Sequence, residues 1–105
     1  MYNKAFMELA VEVAKEGIHK GCGGPFGCVI VKEGQVIAQA HNTVVVDSDP
    51  TAHGEVNAIR IAGKKLGTFN LDGCELYTTS EPCPMCLGAI MWSRIKKVYS
   101  GINII

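Results

Sequence analysis

A chain of 105 residues, 48% hydrophobic and 19% charged, is the right size for one domain over residues 1–105 and too apolar to stay disordered. Its 10 Lys and Arg balance 10 Asp and Glu, which excludes the basic field that holds a nucleic-acid backbone and favours a small neutral partner. Charges in the opening MYNKAFMELA, and the want of an apolar run long enough to cross a bilayer, argue against a membrane partner and for a cytoplasmic protein.

Phe6, Leu9, Ala10 and Val13 recur at helical spacing, predicting a first helix from Asn3 onward, with Gly17 and Gly21 as stopping points. Residues 27–31 are apolar and β-branched, Glu33-Gly34 reads as a tight turn, and residues 36–40 supply a second strand, so this stretch is a hairpin. Residues 42–50 contain VVV but end in the turn signal DSDP, after which Thr51 is a candidate cap for a helix over residues 53–66. A loop over 67–73, a strand over 75–79, a helix over 83–93 and a strand from Lys97 complete the order α-β-β-α-β-α-β. Such alternation predicts an α/β fold: helices laid on a partly parallel sheet, with the first two strands paired antiparallel at one side. The final INII is apolar to its last residue, where a finished sheet edge would carry a further strand or charge.

Five cysteines, an odd number without a secretory context, are expected as thiols rather than as a disulfide framework. Cys83 and Cys86 stand out. On a helix they share a face with Cβ atoms about 5–6 Å apart, close enough for sulfurs to lean to the ~3.8 Å separation of tetrahedral zinc ligands. Pro82 and Pro84 suit a helix start, where free N–H groups and the helix dipole also favour thiolate. A lone CxxC is equally a structural zinc knuckle or a redox pair. A third donor, His53 in DPTAHGEV, lies at another entry to a helix, and both junctions open at the crevice where α/β sheets take ligands. Glu55, two residues on, adds a carboxylate that a structural zinc does not need. Three ligands, an open fourth position and a proton-carrying carboxylate make up a catalytic zinc site. Cys22, Cys28 and Cys74 lack ligand spacing and read as small apolar side chains, and Arg60, Lys64 and Lys65 as a solvated helix face.

HxE followed by PCxxC is the signature of zinc deaminases of nucleobases. With His53-Gly54-Glu55 and Pro82-Cys83-Pro84-Met85-Cys86, the sequence resembles the cytidine and deoxycytidylate deaminase superfamily along nearly its whole length. The words GGPFGCVIVKEGQVIA, DPTAHGEVNAIR and SEPCPMCLGAIMWSR are most similar to its bacterial guanine deaminase branch, with transfer RNA adenosine deaminases as the nearest rivals.

The resemblance implies a three-layer α-β-α sandwich around a mixed sheet, shortened here after the fourth strand, and hydrolytic deamination of guanine to xanthine and ammonia. Adenosine in RNA, cytosine or cytidine are alternative substrates, and a zinc-stabilised scaffold is the reading from another class. The resemblance implies zinc bound by His53, Cys83 and Cys86, with Glu55 moving protons. It also implies Asn42 on the base, the main chain at Gly54 on a ring substituent, and Phe26 and Trp92 as apolar walls. From residue chemistry alone, Phe26 and Trp92 could equally be core and Asn42 a turn residue. Two departures stand out: glycine replaces the usual alanine at Gly54, and the branch normally continues past the fourth strand with helices and a segment exchanged between protomers that supplies an acidic group. A homodimer formed through the unfinished edge and apolar helices is the expected assembly.

Overall fold

The computed structural model describes residues 1–101, so Ile102 to Ile105, and with them the expectation drawn from the apolar INII, lie outside the described residues. Helix α1 (Lys4–His19) starts where Asn3 Oδ1 accepts the Ala5 N–H at 2.9 Å, which satisfies one of the unpaired donors of a helix start. It runs through Gly17 rather than stopping there. The His41 ring lies 2.7 Å from where a Cβ on Gly17 would stand, so the glycine serves a close approach.

Strands β1 (Gly27–Lys32) and β2 (Gln35–His41) form the predicted hairpin. Glu33 and Gly34 both take positive φ, 51° and 77°, the left-handed pair whose twist matches that of the strands. After β2 comes a helical turn that the sequence does not announce, α2 (Val44–Asp47), and then α3 (Gly54–Leu66). The expected cap at Thr51 is not used, because Asp49 Oδ1 accepts from both Thr51 N and Thr51 Oγ1, and His53 occupies the N-cap position instead. Strand β3 (Cys74–Thr78), helix α4 (Pro84–Ser93) and strand β4 (Lys97–Ser100) follow.

The sheet order is β2-β1-β3-β4. β1 pairs antiparallel with both β2 and β3, and only β3 and β4 run parallel, so the sheet is mixed. Because side chains alternate across a strand, Val29, Val31 and Tyr77 face α1 and pack with Met7 and Ala10. Cys28, Ile30, Cys74 and Leu76 pack with Ala58 and Ala62 of α3 and Ile90 of α4. Helix, sheet and helix make the three layers. Cys28 and Cys74 are buried members of this second core, as expected of small apolar side chains.

Gly27 fixes how closely α1 lies on the sheet. A Cβ there would stand 2.2 Å from Ala10 O and 2.7 Å from Ala14 N, both main-chain atoms that no rotamer change can move. Gly27→Ala is therefore expected to cost about 1–3 kcal/mol. At ~4–8 °C per kcal/mol for a domain of this size, calorimetry should record a clear drop in melting temperature, and an unchanged one would mean that α1 does not press on β1.

Candidate functional site

His53 and Cys83 are the N-cap residues of α3 and α4, both with extended backbone (φ −74°, ψ 157° and φ −70°, ψ 168°), and neither side chain caps its own helix. Both are thereby left for another partner. Pro84 fills the first helical position of α4, where the absent N–H is not missed, and Cys86 follows in the same first turn. Two strand-to-helix junctions, one after β2 and one after β3, thus bring their helix N-termini to one place.

His53 Nδ1 lies 3.7 Å from Cys83 Sγ and 3.5 Å from Cys86 Sγ, and the three donor atoms all fall within 4.8 Å of one another. Bonds of ~2.3 Å to sulfur and ~2.05 Å to nitrogen at tetrahedral angles place S and N about 3.6 Å apart. The observed spacings match. Among the described residues this is the one group of three or more His, Cys, Asp or Glu side chains gathered in this way. A set of one imidazole and two sulfurs suits zinc, and with no fourth His or Cys in the group a coordination position stays open. Cys86 is buried, whereas His53 and Cys83 are half-buried and reachable from solvent.

The electrostatics point the same way. Burial, then the charge of Glu55, then Cys83 push the Cys86 thiol well above its ordinary range. Cys28, fully buried beside them, is pushed up by burial first and then by Glu55 and Cys86. Groups that become anions on ionisation are crowded into one low-dielectric place, a conflict that a divalent cation removes.

Glu55 sits in the first turn of α3, 5% exposed, with Oε2 3.3 Å from Thr78 Oγ1. Asn42 is buried at the end of the hairpin, where its N–H donates to Phe26 O at 3.0 Å and its Oδ1 accepts from Val44 N at 3.0 Å. The turn role thus engages its oxygen, while its amide nitrogen has no hydrogen bond among the described residues. A Cβ on Gly54 would stand 3.3 Å from Phe26 O and 3.7 Å from Asn42 N, so Phe26, Asn42 and Gly54 come together beside His53. The Phe26 side chain is partly exposed there.

Trp92 is placed differently. It is 82% exposed and lines a groove of about 450 Å³ between α3 and α4 with Val56, Ile59, Phe69 and Leu71, and it is not brought to the His/Cys/Cys group.

Two residues escaped the sequence reading. Asn57 Nδ2 lies 3.0 Å from His41 O, 2.9 Å from Thr43 Oγ1 and 3.3 Å from Ala52 O, tying α3 to the segment that carries Asn42 and leads into His53. Its only signal is an asparagine inside a helix, where that residue is a poor former. Thr78 is the other, and its signal is a hydroxyl at an inward position of β3 in register with Leu76 and Cys74.

Comparison with known proteins agrees with this geometry. The family model for the cytidine and deoxycytidylate deaminase zinc-binding region matches residues 1–102. The guanine deaminase of Bacillus subtilis is 57% identical over 99 residues, and a tRNA-specific adenosine deaminase of Aquifex aeolicus is 49% identical over 98. These matches take in 94% and 93% of this chain and 64% of each relative, so the chain spans about two thirds of their length. The solved guanine deaminase of Bacillus subtilis superposes with a TM-score of 0.93 at 55% identity, over 96% of this chain and 64% of that one. A solved tRNA:A34 deaminase gives 0.89 at 41% identity, over 92% of this chain and 74% of that one. From Met1 through the last described strand, the chain belongs to the cytidine and deoxycytidylate deaminase family and is its zinc-binding region.

Proposed function

We propose that the chain is a single zinc-dependent deaminase domain over residues 1–105 that hydrolyses the exocyclic amine of a nucleobase, guanine first, giving xanthine and ammonia. The observation that carries this reading is a buried carboxylate, Glu55, beside a three-donor group of His53, Cys83 and Cys86. Bound zinc supplies a Lewis acid that makes water nucleophilic near neutral pH.

The chain's own residues supply the rest. His53, Cys83 and Cys86 hold the metal, and the helix N-termini behind His53 and Cys83 favour the thiolates. Glu55 takes one proton as the water oxygen bonds to the amine-bearing carbon and gives it to the ring nitrogen, then takes the second from the new C–OH group and gives it to the departing amine as the C–N bond breaks and the C=O forms. The Asn42 amide nitrogen donates to a base acceptor, the Gly54 main chain meets a ring substituent, and the Phe26 ring covers a face of the base. Trp92 serves as a wall only where another element or a second protomer closes the groove in which it lies.

Guanine ranks above adenosine in RNA for two reasons: the 57% identity with a guanine deaminase, and the balance of 10 positive against 10 negative residues, which gives a phosphate backbone little to bind. The test is ammonia release by the zinc-loaded protein from guanine, run beside cytosine, cytidine and an adenosine-containing anticodon stem-loop. Release from guanine alone is expected. Release from the RNA alone would transfer the reading to adenosine, and silence on all four with zinc bound would leave a zinc-stabilised scaffold.

We also expect a homodimer, because α4 leaves Leu87, Met91 and Trp92 48%, 70% and 82% exposed. Light scattering that returns a monomer at every concentration would remove this expectation.

A further inference from the structure

The inner face of β3 carries one hydroxyl. Cys74 and Leu76 point into the core against α3 and α4, and Thr78, 1% exposed, continues the same alternation. Its neighbour across the ladder is Cys28, also fully buried. A hydroxyl in such surroundings is costly to bury unless it is hydrogen-bonded. Its partners are Glu55 Oε2 at 3.3 Å and Ser80 O at 3.2 Å, the second lying in the segment that leads to Cys83.

From this geometry we infer that Thr78 is the positioning residue for Glu55. The inference rests on the reading of Glu55 as the proton carrier. The Thr78 hydroxyl holds one carboxylate oxygen, Oε2, against the β3 strand, which leaves Oε1 for the proton. It suits both states through which Glu55 passes. As a carboxylate, Glu55 accepts the hydroxyl proton at Oε2; once Oε1 has taken a proton, Oε2 is the carbonyl oxygen of the acid and still accepts from the same hydroxyl, which also lies 3.2 Å from Ser80 O. One side chain therefore anchors Glu55 before and after proton transfer without moving, and links it to the loop that presents Cys83.

A merely structural threonine would be replaceable by valine, which keeps the branched shape. The experiment compares zinc-loaded wild type, Thr78→Val and Thr78→Ser, each labelled with glutamate carrying ¹³C at the side-chain carboxyl, the Glu55 signal being assigned by its loss in Glu55→Gln. In Thr78→Val the Glu55 resonance is expected to move while the other glutamates stay, with zinc content unchanged, and in Thr78→Ser it is expected to return to the wild-type position. Ammonia release should show kcat lower by about 10- to 100-fold in Thr78→Val, with KM held within about twofold, and recovery in Thr78→Ser. An unmoved resonance in Thr78→Val, or an equal effect of serine and valine, would overturn the inference. If wild type deaminates no base, the function proposed above fails, while the carboxyl resonance still decides the role of Thr78. Should Thr78→Val lose its zinc, Thr78→Ala replaces it, and loss of zinc in both would make Thr78 a structural residue and end the inference.

Discussion

Glu55→Gln is expected to remove turnover, by about 10⁴-fold in kcat, while the protein keeps its fold and one zinc per chain. Single-group general acid–base catalysis contributes ~10²–10⁴-fold, and the upper end applies because one carboxylate makes every transfer: from the water, to the ring and to the leaving amine. At ~1.36 kcal/mol per decade this is about 5.5 kcal/mol of barrier. Glutamine nearly matches glutamate in shape and can still accept from Thr78, so the buried space at 5% exposure stays filled and α3 has no reason to shift. The change also removes the charge that helps to push the Cys86 and Cys28 thiols upward. Steady-state ammonia release together with metal analysis of the same samples checks it. Turnover kept within about tenfold of wild type would take the proton-carrying role from Glu55.

The chemistry of this site was more legible in the sequence than its surroundings. HxE and PCxxC name donors of the right type, and helix geometry puts Cys83 and Cys86 on one face. The alternating elements also set both helix entries at one crevice, and what folding adds is the distance, 3.5 and 3.7 Å from His53 to the two sulfurs. The hairpin was legible because Glu33-Gly34 is local turn chemistry, and so were the long helices from their spacing. The α2 turn was not, since three valines favour a strand and their helical conformation is imposed from outside: Val45 N and Val46 N both donate to Cys22 O. Nor could alternation alone say that β1 and β3 run antiparallel, because strand order is settled by packing between distant segments. Trp92 stands apart for a geometric reason. Six residues beyond Cys86, at about 100° each, it is turned roughly 120° from the cysteine face, and its role as a wall is what the family resemblance implies rather than what spacing shows.

Cys86→Ser is expected to abolish tight zinc binding and with it most of the protein's stability to heat. Cys86 is buried and joins α4 to His53 on α3, so the metal ties together the two helices that cover one face of the sheet. Structural zinc binding in zinc-finger peptides is worth ~10–16 kcal/mol at neutral pH, comparable with the ~5–15 kcal/mol that a whole domain commands. Removing zinc with a strong chelator should accordingly lower the melting temperature of wild type but leave that of Cys86→Ser unmoved. The pH dependence has a definite sign. The folded, metal-free protein holds the Cys86 proton above the ordinary thiol value of 9.0, so zinc uptake at neutral pH must expel it, and the apparent affinity must rise with pH. Folding stability without metal runs the other way. Cys86 and Cys28 stay protonated when folded but ionise in the unfolded chain, so their contribution is intact below about pH 9 and is lost as pH climbs from there toward the raised folded values. With zinc bound, Cys86 is already a thiolate in the folded state and drops out of that loss, leaving Cys28. Melting temperatures of the metal-free and zinc-loaded forms should therefore diverge further above pH 9 than below it, and parallel curves would mean that Cys86 is not a zinc ligand.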